Sequence, residues 1–148
     1  METIELRGRG LLGGVAEGPA LVCRDPVVWA HGVEPSTGLL TYMRSPVYGQ
    51  CVKGRVFVYP FGKGSTTSST WLLETIRCGN GPAAIVNRET EIIIATGIVL
   101  GRAMYGCRIP VVDRLDKDPT TVIETGDWVR VDGSSGVVTV TKEGTRSA

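Results

Sequence analysis

Apolar residues in this chain come in short runs punctuated by glycine and proline. Val/Ile-rich stretches at residues 14–21, 52–59, 83–87, 109–112, 128–132 and 136–141 predict strands. The last two predict a hairpin across Asp132-Gly133-Ser134-Ser135-Gly136. The first alternates small and apolar residues around Gly13, Gly14 and Gly18, which predicts tight barrel packing. Two segments predict helices. In residues 68–78, Trp71, Leu72, Thr75 and Ile76 share a face, and Gly79-Asn80-Gly81-Pro82 is a firm stop. In residues 90–101, the run Ile92-Ile93-Ile94-Ala95 fits a buried helix or a strand. The loop at 31–38 has strong turn chemistry, and the tail at 142–148 is expected to fray. The pattern predicts one β-rich, barrel-like domain over 1–148, with its core at about 8–141 and two or three helices.

Composition narrows the function more than the fold. Hydrophobic residues make up 42% and charged residues 21%, enough for a packed core. A net charge of +1 gives no electrostatic case for nucleic acid or an anionic membrane. No stretch reaches the length of a membrane-spanning helix. The start, Met1-Glu2-Thr3-Ile4-Glu5-Leu6, lacks the basic-then-apolar layout of a signal peptide, so a cytoplasmic location is expected. Cys23, Cys51, Cys78 and Cys107 are scattered, with no Cys-x-x-Cys pair. A metal site built by this chain alone is therefore not expected.

The candidate chemistry lies in Phe61-Gly62-Lys63-Gly64-Ser65-Thr66-Thr67-Ser68-Ser69. An apolar strand runs into a glycine turn, and the turn opens onto a helix start. Unpaired N–H groups and the positive end of the macrodipole meet there. Three readings compete. Ser65 or Thr66 caps the helix. A phosphate rests on the amides, although no Gly-Lys-Ser/Thr triplet closes a Walker A loop. Or Ser65 acts as a general base, its developing alkoxide held by preorganised amides. A Ser–His–acid triad is a poor fit, because the single histidine, His31, has no partner motif and no Gly-x-Ser-x-Gly elbow exists.

Taken jointly, Gly62-Lys63-Gly64-Ser65, Gly81-Pro82-Ala83-Ala84-Ile85-Val86-Asn87, Ile94-Ala95-Thr96-Gly97-Ile98-Val99 and Ile109-Pro110-Val111-Val112-Asp113 resemble the small subunit of the aconitase X family. Trp29-Ala30-His31-Gly32-Val33-Glu34-Pro35-Ser36-Thr37-Gly38 fits the same pattern, so the resemblance spans roughly residues 8–140. It implies a swivelling β/β/α barrel like the mobile domain of aconitase and isopropylmalate isomerase. It also implies an aconitase-like large subunit as partner, holding a 4Fe-4S cluster, with none bound by this chain. The activity implied is that of a hydro-lyase, as in archaeal two-subunit members similar to phosphomevalonate dehydratase. Those members convert (R)-5-phosphomevalonate to trans-anhydromevalonate 5-phosphate, whereas other members dehydrate cis-3-hydroxy-L-proline.

By the same resemblance Ser65 matches the serine base. The amides of Gly64 and Thr66 are then expected to stabilise Ser65 and substrate oxygens, and Lys63 either adds positive charge beside the serine or is a solvated turn lysine. Two departures stand out. Thr66 and Thr67 follow Ser65 where aconitase has a second serine and a carboxylate-gripping arginine. Arg44-Ser45-Pro46 replaces a His-Pro-like step. Ser68 and Ser69 are expected to serve the first helical turn or face solvent. Trp29 is a candidate interface anchor, and Trp71 is expected in the core. His31 is expected to be exposed or structural; Arg102 and Arg108 are candidates for meeting a phosphate, and Asp113 for capping a turn or facing the cleft. The rival from another class is a non-catalytic swivel-type interaction module. A phosphotransfer swivel is disfavoured, because it needs a Thr-x-His-like turn.

Overall fold

Gly8 alone separates two short strands that end up on opposite margins of the sheet. The structure, a computed structural model, describes residues 2–143. In chain order the elements are β1 (Thr3–Arg7), β2 (Arg9–Leu12), β3 (Val15–Val22), β4 (Val56–Tyr59), α1 (Thr67–Arg77), β5 (Ala84–Asn87), α2 (Ile92–Tyr105), β6 (Val111–Asp113), α3 (Pro119–Val122), β7 (Trp128–Asp132) and β8 (Val137–Thr141). The strand order is β1-β8-β7-β3-β4-β5-β6-β2. From β3 to β6 the pairing is parallel; on either side it is antiparallel. Because β1 and β2 are consecutive, the sheet must curl until its margins meet. Gly8 N donates to Gly136 O at 2.8 Å and Asp116 N to Arg7 O at 2.9 Å, stitching the seam. The expected β-rich α/β barrel is what forms.

The parallel strands read as continuous apolar runs because both of their faces are buried. In β4, Val56 and Val58 point into the barrel with Ala84, Val86, Val112, Val129 and Val138. Phe57 and Tyr59 point the other way, among Leu21, Leu72, Ile85, Ile98 and Val111. The two helices following β4 and β5 cover this outer layer, as right-handed parallel crossovers require. Ile123, just past α3, sits in the inner cluster. None of the helices among the described residues is long and apolar enough to cross a membrane.

Several boundaries differ from expectation for identifiable reasons. The strand expected over 52–59 begins at Val56, because Val52 O accepts from Arg55 N in a turn through Gly54 at φ 69°. The ambiguous Ile92-Ile93-Ile94-Ala95 run is helical and continues to Tyr105, where Gly106 closes it at φ 66°. Its start is set by Glu91, whose carboxylate accepts from Ile93 N at 3.0 Å and Ile94 N at 2.9 Å. β1 and β2 were not expected, and β1 lies ahead of the expected core. At the other end, Lys142 is tied down: its ammonium bonds Asp127 Oδ2 at 2.6 Å. The rest of the tail expected to fray, from 144 on, lies outside the described residues.

Candidate active site

The turn after β4 is clamped from two sides. Val27 N donates to Phe61 O at 3.1 Å and Lys63 N to Val27 O at 3.0 Å, so the segment after β3 runs alongside it. Pro60 O accepts from Arg88 N and Glu89 N, at 3.0 and 3.2 Å. Glu91 Oε1 stands 3.0 Å from where a Cβ on Gly62 would lie. Gly64 then adopts φ 119°, a conformation that side chains rarely take. This positions the turn at the carboxyl end of the parallel strands, beside the N-termini of both long helices, the end at which parallel α/β sheets and barrels place ligands.

Ser65 is exposed, and its hydroxyl takes no partner among the described residues. Its carbonyl accepts from Ser68 N at 3.0 Å, opening α1. Thr66 occupies the N-cap with φ −58° and ψ −21° and makes no side-chain cap bond. The capping reading is therefore not what the hydroxyls of Ser65 and Thr66 do. The N–H groups of Gly64, Ser65 and Thr66 also lack partners among the described residues. The turn presents a free hydroxyl among unpaired amides at the positive end of an 11-residue helix. The Lys63 side chain is exposed and has no acidic partner among the described residues.

The next two serines do the structural work that was not expected of them. Ser68 is buried, and its hydroxyl accepts from Ala30 N at 3.3 Å. The Ser69 hydroxyl donates to Ile93 O at 2.5 Å, tying α1 to α2. The tryptophans exchange their expected places. Trp29 is fully buried, with Nε1 donating to Tyr59 Oη at 3.2 Å, so it is no interface anchor. Trp71 is half-buried at the mouth, its Nε1 donating to Val33 O and its ring 4.3 Å from that of His31. His31 is exposed and held at φ 61°. Together these contacts press the 29–35 loop onto α1. Beside them lies a groove of about 480 Å³ lined by Glu34, Pro35, Thr67, Thr70, Trp71 and Glu74.

Other candidates do not reach the turn. Arg102 sits ten residues along α2 from its start, about 15 Å down the helix, and Nη2 donates to Gly13 O at 2.6 Å. Arg108 is exposed near Gly14, at the same far end. Asp113 is fully buried and structural. It takes Arg9 Nε at 2.8 Å and Nη2 at 2.7 Å, and Thr90 N at 2.9 Å. Burial pushes its carboxyl up, but the guanidinium and the N–H outweigh that and hold it below the usual range. All four cysteines are free, and no three of His, Cys, Asp and Glu gather as a metal-ligand group among the described residues.

Comparison with known proteins places this geometry. The family model for the aconitase X swivel domain matches residues 5–140. The phosphomevalonate dehydratase small subunit of Methanosarcina mazei is 39% identical over 144 residues, 97% of this chain and 96% of the relative. That of Thermococcus kodakarensis is 38% identical, covering 95% of this chain and 99% of the relative. The crystal structure of Thermococcus kodakaraensis aconitase X in its holo-form superposes with a TM-score of 0.85 at 37% identity, covering 94% of this chain and 99% of that one. With a matching barrel, near-complete coverage and the glycine–serine turn at the carboxyl ends of its parallel strands, this chain belongs to the aconitase X swivel-domain family.

Proposed function

We propose that this chain is the small subunit of a two-subunit hydro-lyase that dehydrates (R)-5-phosphomevalonate to trans-anhydromevalonate 5-phosphate, with Ser65 as proton acceptor. The observation that carries the reading is the unpartnered Ser65 hydroxyl among free amides, in a chain aligned almost end to end with phosphomevalonate dehydratase small subunits. The pair works in the cytoplasm, where its four free thiols stay reduced.

Among the described residues the thiols and carboxylates form no group that would hold a metal cluster. In this reading a 4Fe-4S cluster would be held by an aconitase-like large subunit. When bound there it supplies Lewis acidity towards the leaving hydroxyl. What this chain contributes is the base. A serine hydroxyl is a very weak base unless its anion is stabilised, and the amides of Gly64 and Thr66, with the helix dipole behind them, do that. Ser65 Oγ takes the proton from the carbon next to the carboxylate. The C–H electron pair becomes the new C=C bond, the hydroxyl on the neighbouring carbon leaves with its bonding pair as hydroxide, and the proton gained by Ser65 is released to complete one water and reset the base. The exposed Lys63 ammonium adds positive charge beside the alkoxide and the anionic substrate. The rigid clamping of 61–63 keeps Ser65 in place once the partner closes over it.

The test is anaerobic reconstitution with the large subunit. Ser65→Ala is expected to assemble normally and lose about 10²- to 10⁴-fold in turnover. Near-normal turnover in that variant removes Ser65 from the mechanism. Water loss from cis-3-hydroxy-L-proline instead of phosphomevalonate reassigns the substrate and leaves the role of Ser65 standing. Pairing without water loss from either leaves an interaction module.

A further inference from the structure

α2 is apolar on both sides, which a solvent-facing helix is not. Its inner side packs on α1 through Ile94, Gly97, Ile98 and Gly101, with Ser69 O 3.0 Å from where a Cβ on Gly97 would lie. Its outward side carries Ile92, Thr96 and Val99 at i, i+4 and i+7, with Ile92 79% and Val99 48% exposed. The only charge in the helix is Arg102, and that guanidinium is drawn away to Gly13 O. The outward face therefore offers water no charged group at all.

The stripe is continuous with the mouth of the candidate site. It starts at Ile92, directly after Glu91, whose carboxylate lies against Gly62 of the Ser65 turn. Phe61, on the other side of Gly62, is 43% exposed. Phe61 and Ile92 thus adjoin the Ser65 turn through Gly62 and Glu91, and the apolar face leads from there down α2. A second copy of this chain on that surface would set one Ser65 turn against another and bring no ligand set for a metal, since none gathers among the described residues.

Resting on the proposed two-subunit reading, we infer that the outward face of α2, from Ile92 through Thr96 to Val99, is a docking surface for the cluster-bearing large subunit, continuous with the catalytic mouth. The partner presents a complementary apolar patch there, and pairing buries this face while it seals the site from water.

The experiment is co-expression of the full chain with its large subunit, followed by co-purification and titration of affinity. Val99→Glu and Thr96→Glu are compared with Thr121→Glu, an exposed position on α3. The two α2 variants are expected to keep the melting temperature of the isolated chain and to bind the large subunit at least tenfold more weakly. Lost turnover should return at high large-subunit concentration, and Thr121→Glu should pair like the wild type. Should Val99→Glu fold poorly, Thr96→Glu carries the same test, since Thr96 is already exposed. Wild-type affinity in folded α2 variants overturns the inference, as does a change confined to self-association of the small chain. If the wild-type chains do not pair, both this inference and the two-subunit reading fall. If they pair through α2 but turn over no substrate, the docking surface stands and the catalytic reading falls.

Discussion

Arg9 and Asp113 clasp the β2–β6 pair: the guanidinium at the start of β2 meets the buried carboxylate at the end of β6 in two parallel bonds of 2.8 and 2.7 Å. The same carboxylate accepts from Thr90 N at 2.9 Å, so it also fixes the approach to α2. Asp113→Ala leaves the guanidinium and that N–H without their shared acceptor. The expected loss is about 2 kcal/mol, below the value for a fully buried pair because Arg9 keeps 38% of its side chain exposed. Urea unfolding reads it as a lower midpoint at unchanged slope; an unmoved midpoint would show that the clasp contributes nothing.

Two buried carboxylates, Asp113 and Asp127, are expected to contribute to acid unfolding. Burial pushes Asp127 up, but the Lys142 ammonium and the N–H groups of Glu124 and Glu143 prevail and hold it low, as Arg9 and Thr90 do for Asp113. A carboxyl that is more acidic folded than unfolded stabilises fully above its unfolded pKa of about 3.9, and loses that contribution as pH falls through the folded value. The melting temperature should stay flat from neutral pH to about 5 and fall below about 4. Asp127→Asn should lower the plateau and flatten that fall. A variant with the wild-type acid slope would exclude Asp127 as a source of it.

Gly64→Ala tests whether the turn is preset. An alanine at φ 119° is strained, and its Cβ would meet Ser68 Oγ at 3.3 Å and Val28 Cγ1 at 3.6 Å. The folding cost should be about 1–3 kcal/mol. Turnover of the reconstituted pair should fall by about 10²-fold, because a shift of an ångström misplaces Ser65. Full turnover with reduced stability would mean that the backbone of the turn adapts on closure.

Tyr59→Phe should cost more than its single lost oxygen suggests. The phenol accepts from Trp29 Nε1 at 3.2 Å, and both side chains are fully buried. Removing it strands the indole N–H, at about 1–3 kcal/mol. Adding Trp29→Phe should cost less than the sum of the two single changes, and a double-mutant cycle from thermal melts measures the difference. Strict additivity would mean that the bond carries no net stability.

What was legible in the sequence follows the range of the interactions involved. The turn residues of 132–136 predicted the β7–β8 hairpin because Asp132 accepts from its own neighbours, Ser134 N and Ser135 N, at 3.0 and 3.1 Å. The run Val56-Phe57-Val58-Tyr59 and the helix after Ser65 were equally local signals. β1 and β2 were missed because their partners, β8 and β6, lie about a hundred residues away or more. The role of Asp113 was hidden for the same reason, since nothing near it in the chain points to Arg9. At the site, Ser65 was found through turn chemistry and family resemblance. The duties of Ser68, Ser69 and Trp71 depend on which face of α1 meets Ala30, Ile93 and His31, and that is tertiary information. Glu91 was not found, because glutamate lies outside the usual N-cap set of Ser, Thr, Asp and Asn.

Pairing of Thr3 with Thr141 gives the barrel an order of completion. During synthesis β1 waits for β8, so the ring cannot shut until Thr141 has been made. Through that interval β1 is a bare template for any passing extended segment. Its alternation of outward Thr3, Glu5 and Arg7 with a single deeply inserted Leu6 places two charges along that margin, the kind of safeguard that discourages mispairing while its partner is still unmade.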